Sequence, residues 1–328
     1  MNKNNFDINN DTLSVDLNEA TLAVKENRFD HALKLLEIIL QENQEHIDTL
    51  YLASVSARYL KKFEKSMEYI QRLLLKAPDM GRAYQELGHI NRDMGNEQKA
   101  VTHYRQACEL NPALLASWNS LYKYFSDNKN KPAADHALDQ INKLKSLPGI
   151  LLYVEQILNE GRLGLAENKL REFLKKNPTH TYAMSLLAEI ANRLGYFNDA
   201  EFLLEKAVSF KPDDGDLRMK FATILRKKQK FAKTIEQVNI LCDKFPDNPI
   251  YKAQKASEIM QNGGHEEAIE ILEDLIEKNP YNFSTFTSKG HAEKTLGRSD
   301  QAIESYKSAY KIKPDHGEAF FSLANLKT

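Results

Sequence analysis

Apolar residues recur along this chain at spacings of three, four and seven, the mark of helices with one buried face rather than of strands. In the stretch 81–114 they include Tyr84, Leu87, Tyr104 and Ala107; in 181–214 they include Met184, Leu187, Leu204 and Ala207. The pattern itself repeats. Pro78 and Pro112 stand 34 residues apart, and Pro178, Pro212, Pro246, Pro280 and Pro314 continue at the same interval. A column of small residues follows the same period: Ala32, Ser66, Ala100 and Ala134, then after a step of 32, Ala166, Ala200, Thr234, Ala268 and Ala302. Twelve places earlier runs another: Ala20, Ser54, Gly88, Tyr122, Val154, Ala188, Ala222, Ala256 and Gly290, broken only by Tyr122 and Val154.

A repeat of this length that carries two helical stretches predicts pairs of antiparallel helices stacked into an array. Small side chains let the paired helices approach closely where they cross. Proline stops the second helix, and Gly95, Gly195 and Gly297 fall between the helices of a pair, where a left-handed C-cap is wanted. Nine repeats start near Leu13, Ile47, Gly81, Leu115, Leu147, Thr181, Gly215, Pro249 and Phe283. The expected fold is all-α, an α-α superhelix of about nine helix-turn-helix repeats plus a half repeat. The domain reading is a polar lead-in at 1–12, repeats one to four at 13–146, repeats five to nine at 147–316, and a terminal helix at 317–328.

Composition narrows the function classes. Of 328 residues, 42% are hydrophobic and 28% charged, which suits a folded chain, and the net charge of −1 gives no field that draws it to nucleic acid or an anionic membrane. The N-terminal residues, rich in Asn and Asp, lack the basic start and apolar core of a signal peptide, and no run of about 18 apolar residues occurs. The expected location is the cytoplasm. Cys108 and Cys242 each sit alone in a helical pattern, which points to buried small residues rather than metal or redox ligands.

Two places strain the pattern. Asn128 to Pro132 occupies an inter-helix turn, Pro148-Gly149 opens the fifth repeat in a position that suits a first helical turn, and two residues are lost from the register there. Either the stack changes curvature or a surface loop absorbs the loss. The last helix carries Phe320, Phe321, Leu323 and Leu326, apolar on more than one side, where a capping repeat wants a polar outer face. It reads as the start of a further domain beyond Thr328 or as a tolerated short cap.

These columns resemble the tetratricopeptide repeat family. The residues Ala83 to Gly88 with Ala100, Tyr104, Ala107 and Pro112 are close to its consensus, as are Phe286, Gly290, Gly297, Ala302, Tyr306, Ala309 and Pro314. The segments 183–195, 199–207, 225–231, 287–297 and 314–328 also resemble one branch, bacterial proteins in which the repeats precede a sulfotransferase domain. That resemblance implies a recruitment region for an enzyme using 3′-phosphoadenylyl sulfate, with the donor bound only by a domain outside this chain. A free-standing bacterial adaptor is the alternative. The donor needs a strand, a glycine-rich loop and a helix. The paired glycines here, Gly263-Gly264, lie between two helices and read as a turn.

No catalytic, cofactor or metal site is expected within these residues. The nine histidines form no His-x-x-x-His pair, and no nucleophile elbow or phosphate loop occurs. The expectation is a binding scaffold for a protein or peptide. The first helices of successive repeats line a concave side, and the family resemblance places there Arg58, Tyr59, Arg82, Gln85, His89, Arg92 and Lys123 in the first part. In the second part it places Tyr182, Glu189, Asn192, Arg193, Lys220, Arg226, Lys227, His291 and Lys294. The first group is mainly basic, which suggests an acidic or carboxylate-bearing partner, the alternative being ordinary solvated helix surface; replacing Arg82 and Arg92 by alanine is expected to weaken partner binding at little cost in stability. The basic run Arg226 to Lys230 and the seven acids within 258–277 read as solvated faces or as ion pairs between adjacent second helices.

Overall fold

The computed structural model describes residues 17–315 and 317–324, and every regular element among them is an α-helix. The helices come in pairs: α1 (17–25) with α2 (Phe29–Glu42), α3 (Ile47–Tyr59) with α4 (Phe63–Lys76), and α5 (Gly81–Asp93) with α6 (Glu97–Leu110). Next are α7 (Leu115–Asp127) with α8 (Lys131–Lys145), α9 (Gly149–Asn159) with α10 (Leu163–Lys176), and α11 (Thr181–Arg193) with α12 (Phe197–Phe210). The series continues with α13 (Gly215–Lys227) and α14 (Phe231–Lys244), α15 (Pro249–Gln261) and α16 (His265–Lys278), α17 (Phe283–Thr295) and α18 (Ser299–Ile312), then α19 (Gly317–Ala324) alone. This is the expected all-α superhelix class. The expected lead-in and Leu326 lie outside the described residues, as does the Phe320 side chain. No described helix is long and apolar enough to cross a membrane.

The chain divides into two compact units, Met1–Lys169 and Leu170–Thr328. The boundary falls inside α10, later than the change of repeat register near residue 147. That change is absorbed by α9, which has 11 residues where α3, α5, α7 and α11 each have 13. Pro148 does not enter the first turn. It is the N-cap, with ψ 137, and its ring sets the extended entry to the helix. Asn130 caps α8 by accepting from the Ala133 N–H at 3.3 Å, with Pro132 in the first turn.

The small-residue columns are the helix crossings. Ala32, Ser66, Ala166, Ala200, Thr234, Ala268 and Ala302 are fully buried, and Ala100 and Ala134 nearly so. In the second repeat the two columns touch: Ser54 Oγ donates to the Ser66 carbonyl at 2.9 Å, and Ser66 Oγ to the Ser54 carbonyl at 2.8 Å. Gly88 and Gly290 face tyrosines. A Cβ on Gly88 would lie 2.4 Å from the Tyr104 ring, and one on Gly290 2.6 Å from the Tyr306 ring. Tyr122 cannot occupy such a crossing and is 36% exposed, while its neighbour Leu121 is buried.

Each pair turns through one residue in the left-handed region. These are Asn27, Lys61, Gly95, Lys129, Gly161, Gly195, Gln229, Gly263 and Gly297, with φ between 56 and 85. They keep the repeat interval, including its step of 32 from Lys129 to Gly161. The turn geometry is thus imposed even on lysine and glutamine, at about 1 kcal/mol each relative to glycine. Gly263 fills this turn and Gly264 caps α16, so the glycine pair serves the helix hairpin.

Cores run from repeat to repeat. In the first unit Leu33, Leu36, Leu50, Ile70, Leu73 and Ile90 form one cluster; in the second, Ala188, Ala200, Leu204, Phe221 and Leu225 form another. Each buried Leu, Ile or Phe side chain contributes about 1.5–3 kcal/mol by leaving water. Cys108 is buried, which pushes its thiol up to about 12, and Cys242 is half-buried with its thiol also raised by burial. Both are free cysteines that behave as small apolar residues.

Candidate functional site

In the first unit, the expected groove residues stand on α3, α5 and α7, but several are committed within the fold. Arg58 is 7% exposed; its Nε donates to Glu86 Oε1 at 2.6 Å and its Nη1 to Asp93 Oδ2 at 3.1 Å. Burial opposes its charge, yet Glu86 and Asp93 more than offset this and hold its pKa above the ordinary arginine value. Arg82 Nη2 donates to Glu160 Oε2 at 2.7 Å, and its guanidinium lies 4.8 Å from the Tyr51 ring centroid. Arg92 bonds its neighbour Asp93 at 2.9 Å. Each of the three arginines therefore already faces a carboxylate of this chain, so Arg82 is not a free surface cation.

The other members of this group are also placed by contacts. His89 Nδ1 lies 2.7 Å from the Tyr104 hydroxyl, and burial, helped by Arg58 and Arg92, lowers its pKa to about 4. It is a neutral packing residue at pH 7. Gln85 Oε1 accepts from Ser117 Oγ at 3.0 Å. Tyr59, half-exposed, stacks flat on Phe29 at 4.2 Å, with the Arg58 guanidinium 4.3 Å from its ring centroid. Lys123 is exposed.

The second unit assembles a pocket. Between α11 and α13 lies a cavity of about 280 Å³ lined by Ser185, Ala188, Glu189, Asn192, Arg193, Leu204, Lys220, Thr223 and Ile224. Four of the expected residues meet there: Glu189, Asn192, Arg193 and Lys220. Lys220 Nζ donates to Ser185 Oγ at 2.9 Å across the two helices. Lys227 reaches the rim, donating to Asn192 Oδ1 at 2.8 Å and lying 5.7 Å from the Phe197 ring centroid. Glu189 and Arg193 pair one turn apart on α11. The floor is apolar: Ala188, Leu204 and Ile224 are buried. An apolar floor under a few convergent polar groups is the usual build of a ligand site.

The remaining expected residues do not join this pocket. Tyr182 is half-buried nearer the start of α11. Arg226 turns to Glu258, 2% exposed, at 2.9 Å. His291 Nδ1 lies 2.8 Å from the Tyr306 hydroxyl, repeating the arrangement of His89 and Tyr104, and Lys294 is exposed on α17. Sequence reasoning missed Ser185, Thr223 and the apolar floor. Thr223 stands 34 places after Glu189, so the repeat interval alone places it on the same face.

The charged stretches resolve into pairs. Lys228 and Lys230 both hold Glu201, the latter at 2.6 Å. In the acidic stretch Asp274 meets Lys252 at 2.6 Å, Glu273 meets Lys289 at 2.7 Å, and Glu266 meets Arg298. The bond from Arg226 to Glu258 links the two stretches, and it joins first helices rather than second ones. Among the described residues no group of three or more His, Cys, Asp or Glu is arranged to hold a metal.

Three segments, 81–114, 182–214 and 284–316, match the tetratricopeptide repeat model. No curated protein sequence matches the chain. Among solved structures, MamA is similar with 18% identity over 50% of this chain and 96% of its own, at a TM-score of 0.46. A protein of Thermus thermophilus, TTC0263, described as a thermophilic TPR protein, has 18% identity over 54% and 97%, at 0.42. YrrB, described as a TPR protein with an unusual peptide-binding site, has 13% identity over 77% and 96%, at 0.39. The three matched segments are tetratricopeptide repeats, and the same helix pair recurs at the same interval between them.

Proposed function

We propose that this chain is a protein-binding scaffold whose second unit receives a peptide segment in the groove between α11 and α13. The observation that carries this reading is the cavity itself, an apolar floor edged by Lys220, Asn192, Arg193 and Glu189. Asn192 offers an amide that both donates and accepts, which suits a peptide backbone. Lys220 bonds Ser185 with one of its three donors. With Lys227 beside them, Lys220 and Arg193 outnumber Glu189, so a segment bearing a carboxylate is favoured.

The test is to select twelve-residue peptides on the full chain and measure their affinity by fluorescence anisotropy. Lys220→Glu is expected to weaken the selected peptides at least about tenfold, or about 1.4 kcal/mol, because it reverses the charge at the pocket wall. Lys220 is exposed, so the fold should persist. An unchanged affinity would move the site elsewhere. The finer reading, recruitment for a bacterial sulfotransferase, rests on the segment resemblance alone. A reading frame that runs past Thr328 into a glycine-rich phosphate loop would support it; a stop codon there would favour the adaptor.

A further inference from the structure

The turn that follows α9 is unlike its counterparts. The position of Glu160 corresponds to Met94, Leu194 and Leu296, which are exposed, and to Leu60 and Lys228, which are half-buried, the Lys228 side chain being 18% exposed. The Glu160 side chain is 4% exposed. It is covered because the segment 156–162 lies against the starts of α3 and α5 and the turn before α7. Asn111, 1% exposed, donates through Nδ2 to the Gln156 carbonyl at 3.0 Å and accepts from Asn159 Nδ2 at 3.2 Å. Gln156 Nε2 donates to the Ala113 carbonyl at 3.0 Å. Glu160 takes the Arg82 guanidinium, and Arg162 pairs with Asp48.

Contacts in a stacked repeat array ordinarily join neighbouring repeats. Those of Glu160 and Arg162 span 78 and 114 residues, so the fifth repeat reaches back to the third and the second. The recognised features are those of a ligand. A backbone carbonyl, a side-chain carboxamide and a carboxylate each meet a dedicated partner. Gln156 and Glu160 are one helical turn apart, so a single helical face presents both groups. Beside this contact lies a cavity of about 860 Å³, walled by the turns at 43–48 and 76–80 on one side and by 159–162 on the other. The segment is thus seated at the edge of open space, with Ile157 and Leu158, each 2% exposed, anchoring it between these polar groups.

We propose that segment 156–162 is a pseudo-ligand held in cis, and that the site it covers binds a helical protein segment presenting a carboxamide and a carboxylate four residues apart. The tether keeps the chain's own copy at a high effective concentration, in the millimolar range for short connections, so weak partners are shut out. A partner segment gains access when the cis contact is weakened, and its apparent affinity rises by the factor the closed state had withheld. Arg82 is the recognition residue, since it reads the carboxylate through a directed guanidinium bond.

The experiment uses the full chain and a fluorescein-labelled peptide of its own residues 148–162. Anisotropy titrations compare wild type, Glu160→Ala, and Glu160→Ala combined with Arg82→Ala. The expected result is at least a tenfold gain in affinity for Glu160→Ala over wild type, lost again when Arg82 is removed. Equal affinity in wild type and Glu160→Ala, binding by neither, or a gain that survives Arg82→Ala would each overturn the proposal. Should Glu160→Ala lose its helical circular dichroism, Glu160→Gln, which keeps an acceptor for Arg82 without the charge, is titrated under the same criteria.

Discussion

Replacing Ala200 by arginine is expected to destabilise the protein by more than about 3 kcal/mol. Ala200 is fully buried at the crossing of α11 and α12, in one cluster with Ala188, Leu204 and Leu217. The paired helices approach to the distance an alanine allows. A long side chain forces them apart, and its guanidinium enters a site with no carboxylate among those neighbours. Repeat arrays propagate damage chiefly to adjoining repeats, so hydrogen exchange should quicken first in α11 to α14. Urea unfolding gives the magnitude. A loss under about 1 kcal/mol would mean that the recurring small residues do not mark the crossings.

The second large effect is expected at Arg58, where the fold uses a residue that sequence reasoning gave to the groove. Arg58→Ala should cost about 3 kcal/mol or more, because it leaves Glu86 buried without its cation. Burial already pushes the Glu86 carboxyl above its ordinary range, and Arg58 is the partner that works against this. The double variant Arg58→Met with Glu86→Leu should recover most of the loss, since apolar groups of similar size often replace a buried ion pair at little cost. Urea unfolding of Arg58→Met, Glu86→Leu and the double variant measures the coupling. Additive losses would show that the pair is not coupled across α3 and α5.

The array was legible because its causes are local and periodic. Small residues at crossings and prolines at repeat ends are each required by geometry at a fixed interval. First-helix starts at Ile47, Gly81, Leu115, Thr181, Gly215, Pro249 and Phe283 followed directly; the fifth starts at Gly149 because Pro148 caps it. The left-handed turns at Lys61, Lys129 and Gln229 were not legible, since those residue types carry no turn signal and the repeat imposes the conformation.

The candidate site was legible only as far as repeat position goes. Position indicates which face a residue is on, and it brought Glu189, Asn192, Arg193 and Lys220 to one pocket. It says nothing of what lies opposite. Arg58 and Glu86 are 28 residues apart, and Arg82 and Glu160 are 78 apart. Neither partner falls at a spacing that pattern reading tests. Of the basic residues expected in the first part, Arg58 and Arg82 are therefore held by carboxylates of this chain, while Arg92 and Lys123 stay exposed.

The most direct test of the scaffold reading is methyl NMR of the full chain, labelled at Ala, Ile and Leu, on addition of a selected peptide. Shifts are expected at Ala188, Leu204 and Ile224, which line the pocket, with Leu33 and Leu36 unmoved. Shifts that spare those three methyls while appearing around Leu272 and Ala268 would contradict it.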